Sequence, residues 1–304
     1  MSTNVLITGG SGLLATNLAL AMRDYYSVTL GLHSRDISLD GVEVITVDLD
    51  SIENLKSVVD LVKPNVIIHT AGLTSVEKCD ADQKLAYHIN VELAVNVARV
   101  CAEKEIGLVH ISTDHLFTGE FSLVDETYSV QPINTYARTK AEAESRVLEV
   151  NPKAIVLRTN FYGWGTSYRS SFSDIIIQTL RAGKKITLFN DVFYTPILIE
   201  VMAQTIHELI NAKAHGIFHV VGDQRISKYE FGLKLAKEFN LDINLIMPGN
   251  IADNPSLVQR PHDMSLSNKK VCKLLHRKLG SVSEHIATLH QQEKNGLAQE
   301  LIKL

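Results

Sequence analysis

Apolar positions in the first half of the chain fall into short buried runs separated by stretches of helical spacing. Val5-Leu6-Ile7 predicts a strand buried on both faces, and the uncharged residues after Gly12 predict a helix ending near Tyr25. Val28 to Leu32 predicts a second strand and Val42 to Val47 a third. Leu55, Val58, Val59 and Val62 share one face of a helix that Asp50 or Ser51 can cap and Pro64 closes. Val66-Ile67-Ile68-His69 is a fourth strand, Ala86, Ile89, Leu93 and Val97 return to helical spacing, and Leu108 to Ser112 is a fifth strand. A long loop from Phe117 to Thr135, a length that usually carries function, leads to a helix from about Asn134 to Val150 and a sixth strand from Ala154 to Leu157. The alternation predicts an α/β fold, a doubly wound parallel sheet (Rossmann-like) with a smaller C-terminal substrate-binding lobe.

Beyond Thr159 the rhythm loosens into an aromatic and glycine-rich stretch, Phe161-Tyr162-Gly163-Trp164-Gly165, followed by a helix from about Ser171 to Ala182. This is the side on which substrate is expected. A helix from Ile197 to Ala212 and a strand from Gly216 to Val221 should return to the main sheet. Residues 1–159 thus read as a dinucleotide-binding unit rejoined by about 197–225, and residues 160–196 with 226–304 as the substrate-binding lobe. No repeat, low-complexity tract or flexible linker separates them, so the two should close around a cleft.

A chain of 304 residues can bury a large core. Its net charge of −4, from 30 basic and 34 acidic residues, lacks the basic excess that grips a nucleic-acid backbone. Cys79, Cys101 and Cys272 form neither a disulfide framework nor a CxxC metal site, which points to a reducing cytoplasm. The uncharged run from Ser2 to Met22 has no basic lead-in and is broken by Asn, Thr, Ser and Gly, so it reads as strand and helix rather than signal peptide. Other apolar runs are too short to span a bilayer, and no membrane partner is expected. None of the 12 histidines pairs at HxxxH or HExxH spacing with a third ligand, so no metal site is expected.

Candidate chemistry begins at Thr8-Gly9-Gly10-Ser11-Gly12-Leu13-Leu14-Ala15. Gly9 allows a tight turn, and Gly12 lets a pyrophosphate approach the backbone N–H groups of Ser11, Leu13 and Leu14 at the positive end of a helix. Ala15 replaces the third glycine of the dinucleotide fingerprint. Such a turn also serves as a plain connector, and its context is what favours cofactor binding. The second strand ends in Leu32-His33-Ser34-Arg35, without the acid that NAD-preferring sheets set against ribose hydroxyls. Arg35 and Ser34 suit a ribose phosphate, which argues for NADP(H). Asp48, with Leu49 beside it, either accepts from an adenine amine or belongs to the cap of the next helix. Thr70, Ala71 and Gly72 are small where backbone must approach a cofactor. Ser112-Thr113-Asp114 ends the fifth strand, where Thr113 can hold a carbonyl oxygen, or where the aspartate only forms a turn. Tyr136 and Lys140 share one helix face, so the ammonium is expected to lower the phenol's pKa and fit it to give a proton to a carbonyl. The same spacing also occurs as a surface pair.

Assembled, these residues resemble the extended short-chain dehydrogenase/reductase superfamily and, within it, the dTDP-4-dehydrorhamnose reductase family. The resemblance covers nearly the whole chain. It rests on the glycine turn, on His69-Thr70-Ala71-Gly72, Asn90 and Ser112-Thr113-Asp114-His115-Leu116-Phe117, and on Pro132 to Lys140. Arg158-Thr159-Asn160-Phe161-Tyr162-Gly163 and Arg260-Pro261 with Ser265-Leu266 resemble its later motifs. The resemblance implies Thr113, Tyr136 and Lys140 as catalytic residues, Lys140 and Tyr136 also at the nicotinamide ribose, and Asn90 among the cofactor residues. Asp114, His115, Phe161 and Arg260 would meet a nucleotide-sugar substrate, whose 4-keto group is reduced by NADPH. Phe161 stands where the family usually has tryptophan, His115 where it has tyrosine, and Asp191 to Pro196 follows the substrate-loop pattern only loosely, so the sugar stays open. Two other readings remain: a noncatalytic NADP-binding regulator like the methionine adenosyltransferase regulatory subunit, and an NAD-dependent nucleotide-sugar epimerase or dehydratase. The sequence also leaves open whether the chain pairs as a homodimer.

Overall fold

The computed structural model describes residues 3–304; residues 1 and 2, where the uncharged run and the first unit begin, lie outside the described residues. The main sheet is built from β1 (Thr3–Thr8), β2 (Tyr26–Leu32), β3 (Glu43–Thr46), β4 (Val66–His69), β5 (Gly107–Ile111), β6 (Ile155–Arg158) and a last strand, Gly216–His219. All pairs are parallel, and the spatial order is Gly216–His219, β6, β5, β4, β1, β2, β3. The winding reverses between β1 and β4, which leaves a crevice beyond their carboxyl ends.

Alternate residues of each strand supply opposite faces, which is why the central runs are continuously apolar. Val5, Ile7, Ile68, Val109 and Leu157 join one core, and Leu6, Ile67, Leu108 and Val156 the other. The first core takes in α1 (Leu13–Met22) and continues without a break to Leu289 and Leu301 near the end of the chain. The second is closed by α2 (Ile52–Val62), which Ser51 caps as expected.

Three details differ from the sequence pattern. Helix α1 stops at Met22 rather than near Tyr25, since the Tyr25 N–H turns back to the Met22 carbonyl. After α3 (Val76–Ala81), the helical spacing around Ala86 to Val97 is divided into α4 (Gln83–Tyr87), a π-helical turn His88–Glu92, and α5 (Leu93–Glu103). The wider turn carries Asn90 inward, and π-turns of this kind concentrate at functional sites. The late segment also holds short strands that the sequence pattern does not mark: Phe193–Tyr194 pairs with Ile226–Ser227 and Ile186–Phe189 with Ile246–Gly249.

The helix that follows β5 is α6 (Thr135–Val150), capped by Asn134, whose side-chain oxygen accepts from the Ala137 N–H at 2.8 Å. Its buried face carries Tyr136, Lys140 and Glu144 at four-residue steps. Glu144 meets the guanidinium of Arg158, at the end of β6, through contacts of 2.7, 3.0 and 3.1 Å with both partners buried. Arg158 therefore fixes the helix to the sheet. Removing one charge strands the other in a buried site, a loss of roughly 3–5 kcal/mol. Arg158→Met should lower stability to urea by that amount; a loss under about 1 kcal/mol, the range of an exposed ion pair, would contradict this assignment.

Candidate active site

A cavity of about 700 Å³ lies along the crevice, within the size range of small-molecule sites. One end is the glycine turn. Gly9 has φ +72°, and a Cβ there would meet the Ala71 backbone at 2.7 Å, so the loops after β1 and β4 touch because Gly9 lacks a side chain. Ser11, Gly12, Leu13 and Leu14 line this end, and α1 begins without a capping side chain or an acidic residue in its first turn. A helix start with its N–H groups turned toward a cavity and no carboxylate competing for them suits a phosphate. The pyrophosphate of NADP(H) fits here by the chemistry of its donors.

Thr70, Ala71 and Gly72 form the facing wall. The Thr70 hydroxyl donates to the Thr8 carbonyl at 2.7 Å. Asn90 also lines the cavity, but its amide is engaged in holding the turn: its oxygen accepts from the Leu73 N–H at 2.7 Å, and its nitrogen reaches the Leu73 carbonyl and the Thr139 hydroxyl. Arg35 lies at the rim with its guanidinium 4.1 Å above the Tyr168 ring. Ser34 and Asp48 are exposed and Leu49 is buried in the second core, all three away from the cavity lining. Asp48 instead accepts from the Asp50 N–H at 3.0 Å, a turn leading into α2.

Thr113, Asp114, His115, Tyr136, Lys140 and Phe161 line the other end. The Tyr136 phenol hydrogen-bonds the Thr113 side chain, and His115 meets its ring edge-on at 5.6 Å. Burial raises the phenol's pKa well above its usual value and outweighs the Thr113 bond. This overturns the expected lowering by Lys140. The Lys140 ammonium donates to the Ile111 carbonyl at 2.6 Å, and burial, partly offset by Glu144, lowers its pKa to about 8. His115 is pushed down to about 3 by burial, with the Lys228 and Arg260 charges adding, so it is neutral near pH 7.

Arg260 stands apart from the cavity lining, ion-paired with Glu77 of α3. Two other residues act on the Asp114 carboxylate. Asn160 lines the cavity and donates to Asp114 Oδ2 at 2.6 Å. Lys228 begins α9 (Lys228–Glu238), which follows α7 (Phe172–Arg181) and α8 (Ile199–Asn211) in the chain, and its ammonium lies 3.4 Å over the Tyr194 ring. Burial raises the Asp114 carboxyl and lowers the Lys228 ammonium, while each charge favours the other. The Arg158-Thr159-Asn160 motif pointed to Asn160's neighbourhood, whereas no local pattern marked Lys228.

The model of the RmlD substrate binding domain matches residues 3–295. The chain belongs to this family. Among relatives of this chain, a "Probable low-salt glycan biosynthesis reductase" of Haloferax volcanii is 31% identical over 270 residues, 87% of this chain and 90% of that protein. The dTDP-4-dehydrorhamnose reductase of Aggregatibacter actinomycetemcomitans is 28% identical over 282 residues, 88% and 91% of the two chains. Methionine adenosyltransferase 2 subunit beta of Mus musculus is 27% identical over 278 residues, 89% and 82% of the two. The crystal structure of dTDP-4-dehydrorhamnose reductase from Bacillus anthracis in complex with NADP superposes with a TM-score of 0.85 at 25% identity, covering 96% of this chain and all of that one.

The Asp114–Lys228 pairing has a direct test. Lys228→Met removes a charge that holds the Asp114 carboxyl down, so its titration, followed by carboxyl carbon NMR, should move to higher pH. An unchanged midpoint would separate the two groups.

Proposed function

We propose that this RmlD-family chain is an NADPH-dependent reductase that converts the 4-keto group of a nucleotide-activated 6-deoxy-hexulose, carried on dTDP, to an alcohol. The observation that carries the reading is one cavity with an uncapped helix start and glycine turn at one end and Thr113, Tyr136 and Lys140 together at the other. The family match and the reductase relatives support it.

When bound, the reduced dinucleotide supplies the hydride that reaches the carbonyl carbon. The chain supplies the proton and the geometry. Tyr136, kept protonated by burial, gives its phenolic proton to the carbonyl oxygen, and the Thr113 hydroxyl holds that oxygen in place. The Lys140 ammonium, four residues along α6, stabilises the negative charge left on the phenol and holds the nicotinamide ribose. Asn160 and Lys228 keep the Asp114 carboxylate oriented toward sugar hydroxyls, and Phe161 gives the sugar an apolar wall. Arg35, at the far rim, takes the ribose phosphate and so selects NADPH over NADH.

A regulatory role like that of the adenosyltransferase subunit needs cofactor binding but no ketone reduction. NADPH oxidation with a panel of dTDP-linked 4-keto sugars decides between the two: turnover supports the reductase, and tight NADPH binding without turnover of any such sugar sinks it.

Tyr136→Phe should keep the fold and NADPH affinity while turnover falls by roughly 10² to 10⁴, the share carried by general acid catalysis. Stopped-flow NADPH oxidation reads this, and a near wild-type rate would exclude Tyr136 as the donor. Lys140 is charged below about pH 8 and neutral above it. NADPH affinity should therefore weaken as pH rises through that value. In Lys140→Met, affinity should be weak throughout and this limb absent; a limb that persists in fluorescence titrations of the variant belongs to another group.

A further inference from the structure

The glycine-rich stretch after β6 leads into a tight hairpin. The Thr166 N–H donates to the Arg169 carbonyl at 2.9 Å and the Arg169 N–H returns to the Thr166 carbonyl at 3.3 Å, leaving Ser167 and Tyr168 at the tip. Both ends of this hairpin are fixed. Gly165 sits where a Cβ would come within 2.4 Å of the Arg169 carbonyl oxygen, and Ser171 with Asp174 forms the capping box that starts α7. The hairpin is fastened to both loops that flank the crevice. The Tyr168 hydroxyl donates to the Ser11 carbonyl at 2.8 Å, in the turn after β1, and the Arg169 guanidinium donates to the Thr74 hydroxyl at 3.1 Å, beyond the turn after β4. Tyr168 to Ser171 all line the cavity.

We propose that the Thr166–Arg169 hairpin is a strap across the dinucleotide crevice, and that Tyr168 is the positioning residue that gives Arg35 its selectivity for the 2′-phosphate of NADPH. This rests on the NADPH reading above. Arg35 is exposed, at the end of a strand, and has no ion pair or hydrogen bond among the described residues; the contact that orients it is the Tyr168 ring at 4.1 Å. A free arginine must lose rotamer freedom each time it binds a phosphate, whereas a stacked planar guanidinium has lost much of it already. The stack leaves the edge donors of the fork open for a dianionic phosphate. The hydroxyl bond to Ser11 ties the stack to the pyrophosphate cradle, so the ring's position is set by the same turn that receives the cofactor backbone. NADH presents no phosphate to Arg35, and its affinity should not depend on the stack.

The test is a fluorescence titration of NADPH and NADH against wild-type protein and Tyr168→Leu, Tyr168→Phe, Arg35→Ala and the Tyr168→Leu/Arg35→Ala double variant, with melting temperatures confirming that each folds. Tyr168→Leu should lower the NADPH-over-NADH affinity ratio by roughly two- to fivefold, the equivalent of an exposed cation–π contact. Tyr168→Phe keeps the ring and should keep the ratio, while stopped-flow release of NADPH quickens because the fastening to Ser11 is gone. Arg35→Ala should lower the ratio by roughly ten- to a hundredfold. In that background Tyr168→Leu should change it no further. A Tyr168→Leu variant that weakens both cofactors equally, or neither, overturns the positioning role while Arg35→Ala leaves the NADPH reading standing. An Arg35→Ala variant with an unchanged ratio overturns both.

Discussion

A buried ammonium on α6 sets the terms for the centre of the molecule. Lys140 is almost inaccessible to water, and a charge in such a place persists only where the surroundings answer it. The answer comes from the Ile111 carbonyl at the end of β5, and from Glu144 one turn further along the same helix. The same charge adds to burial in holding His69 and His110 neutral, His69 at about 3 and His110 well below its usual value. Those imidazoles stack with centroids 5.5 Å apart on paired positions of β4 and β5. Two protonated rings at that separation would repel each other and the ammonium. Burial, with the ammonium adding to it, keeps both rings neutral where α6 meets the sheet.

The Glu144 carboxylate serves two cations. It meets Arg158 through a forked contact and lies close enough to Lys140 to favour its charge. An arginine from β6, a glutamate from α6 and a lysine one helical turn earlier therefore form a chain of alternating charge beneath Tyr136. Its geometry is rigid because a planar guanidinium accepts a carboxylate in few orientations. The position of the Tyr136 phenol relative to β5 is inherited from that rigidity, so residues outside the cavity lining contribute to its alignment.

The sheet was legible in the sequence because its central strands carry short apolar runs and the turns beside them have local signatures. Val66 to His69 coincides with β4, and the glycine turn sits at the switch point. The cap of α2 by Ser51 was readable for the same reason. What was not legible is what tertiary packing decides. Asn90 was named from a motif, but that its amide is engaged by Leu73 and Thr139 depends on a π-turn that periodicity does not reveal. Lys228 follows the cap of a late helix and reads as a solvated first-turn lysine, yet packing lays it on Tyr194 near Asp114. Ser34, Asp48 and Leu49 occupy the expected strand ends but lie away from the cavity lining. Arg260 was weighed as a substrate contact, and Glu77, a residue 183 positions away, is what its guanidinium meets.

Tyr136 stays protonated although Lys140 lies one helical turn away. A nearby cation favours phenolate, but burial disfavours any charge on the ring, and it is burial, opposed by the Thr113 bond, that dominates at Tyr136. A phenol fully protonated at neutral pH cannot act as a base on an alcohol without first losing its proton. It is ready, however, to give that proton to an oxygen that gains negative charge as hydride arrives. Once the proton has left, the phenolate lies in the same desolvated wall as the Lys140 ammonium, where an opposite charge is worth more than it would be in water. The cation then acts mainly after proton transfer begins, on the anion that burial alone would not allow. On the proposed mechanism, a buried cation four residues from a buried donor meets a charge that appears only as the reaction proceeds, and it lowers the same barrier in both directions.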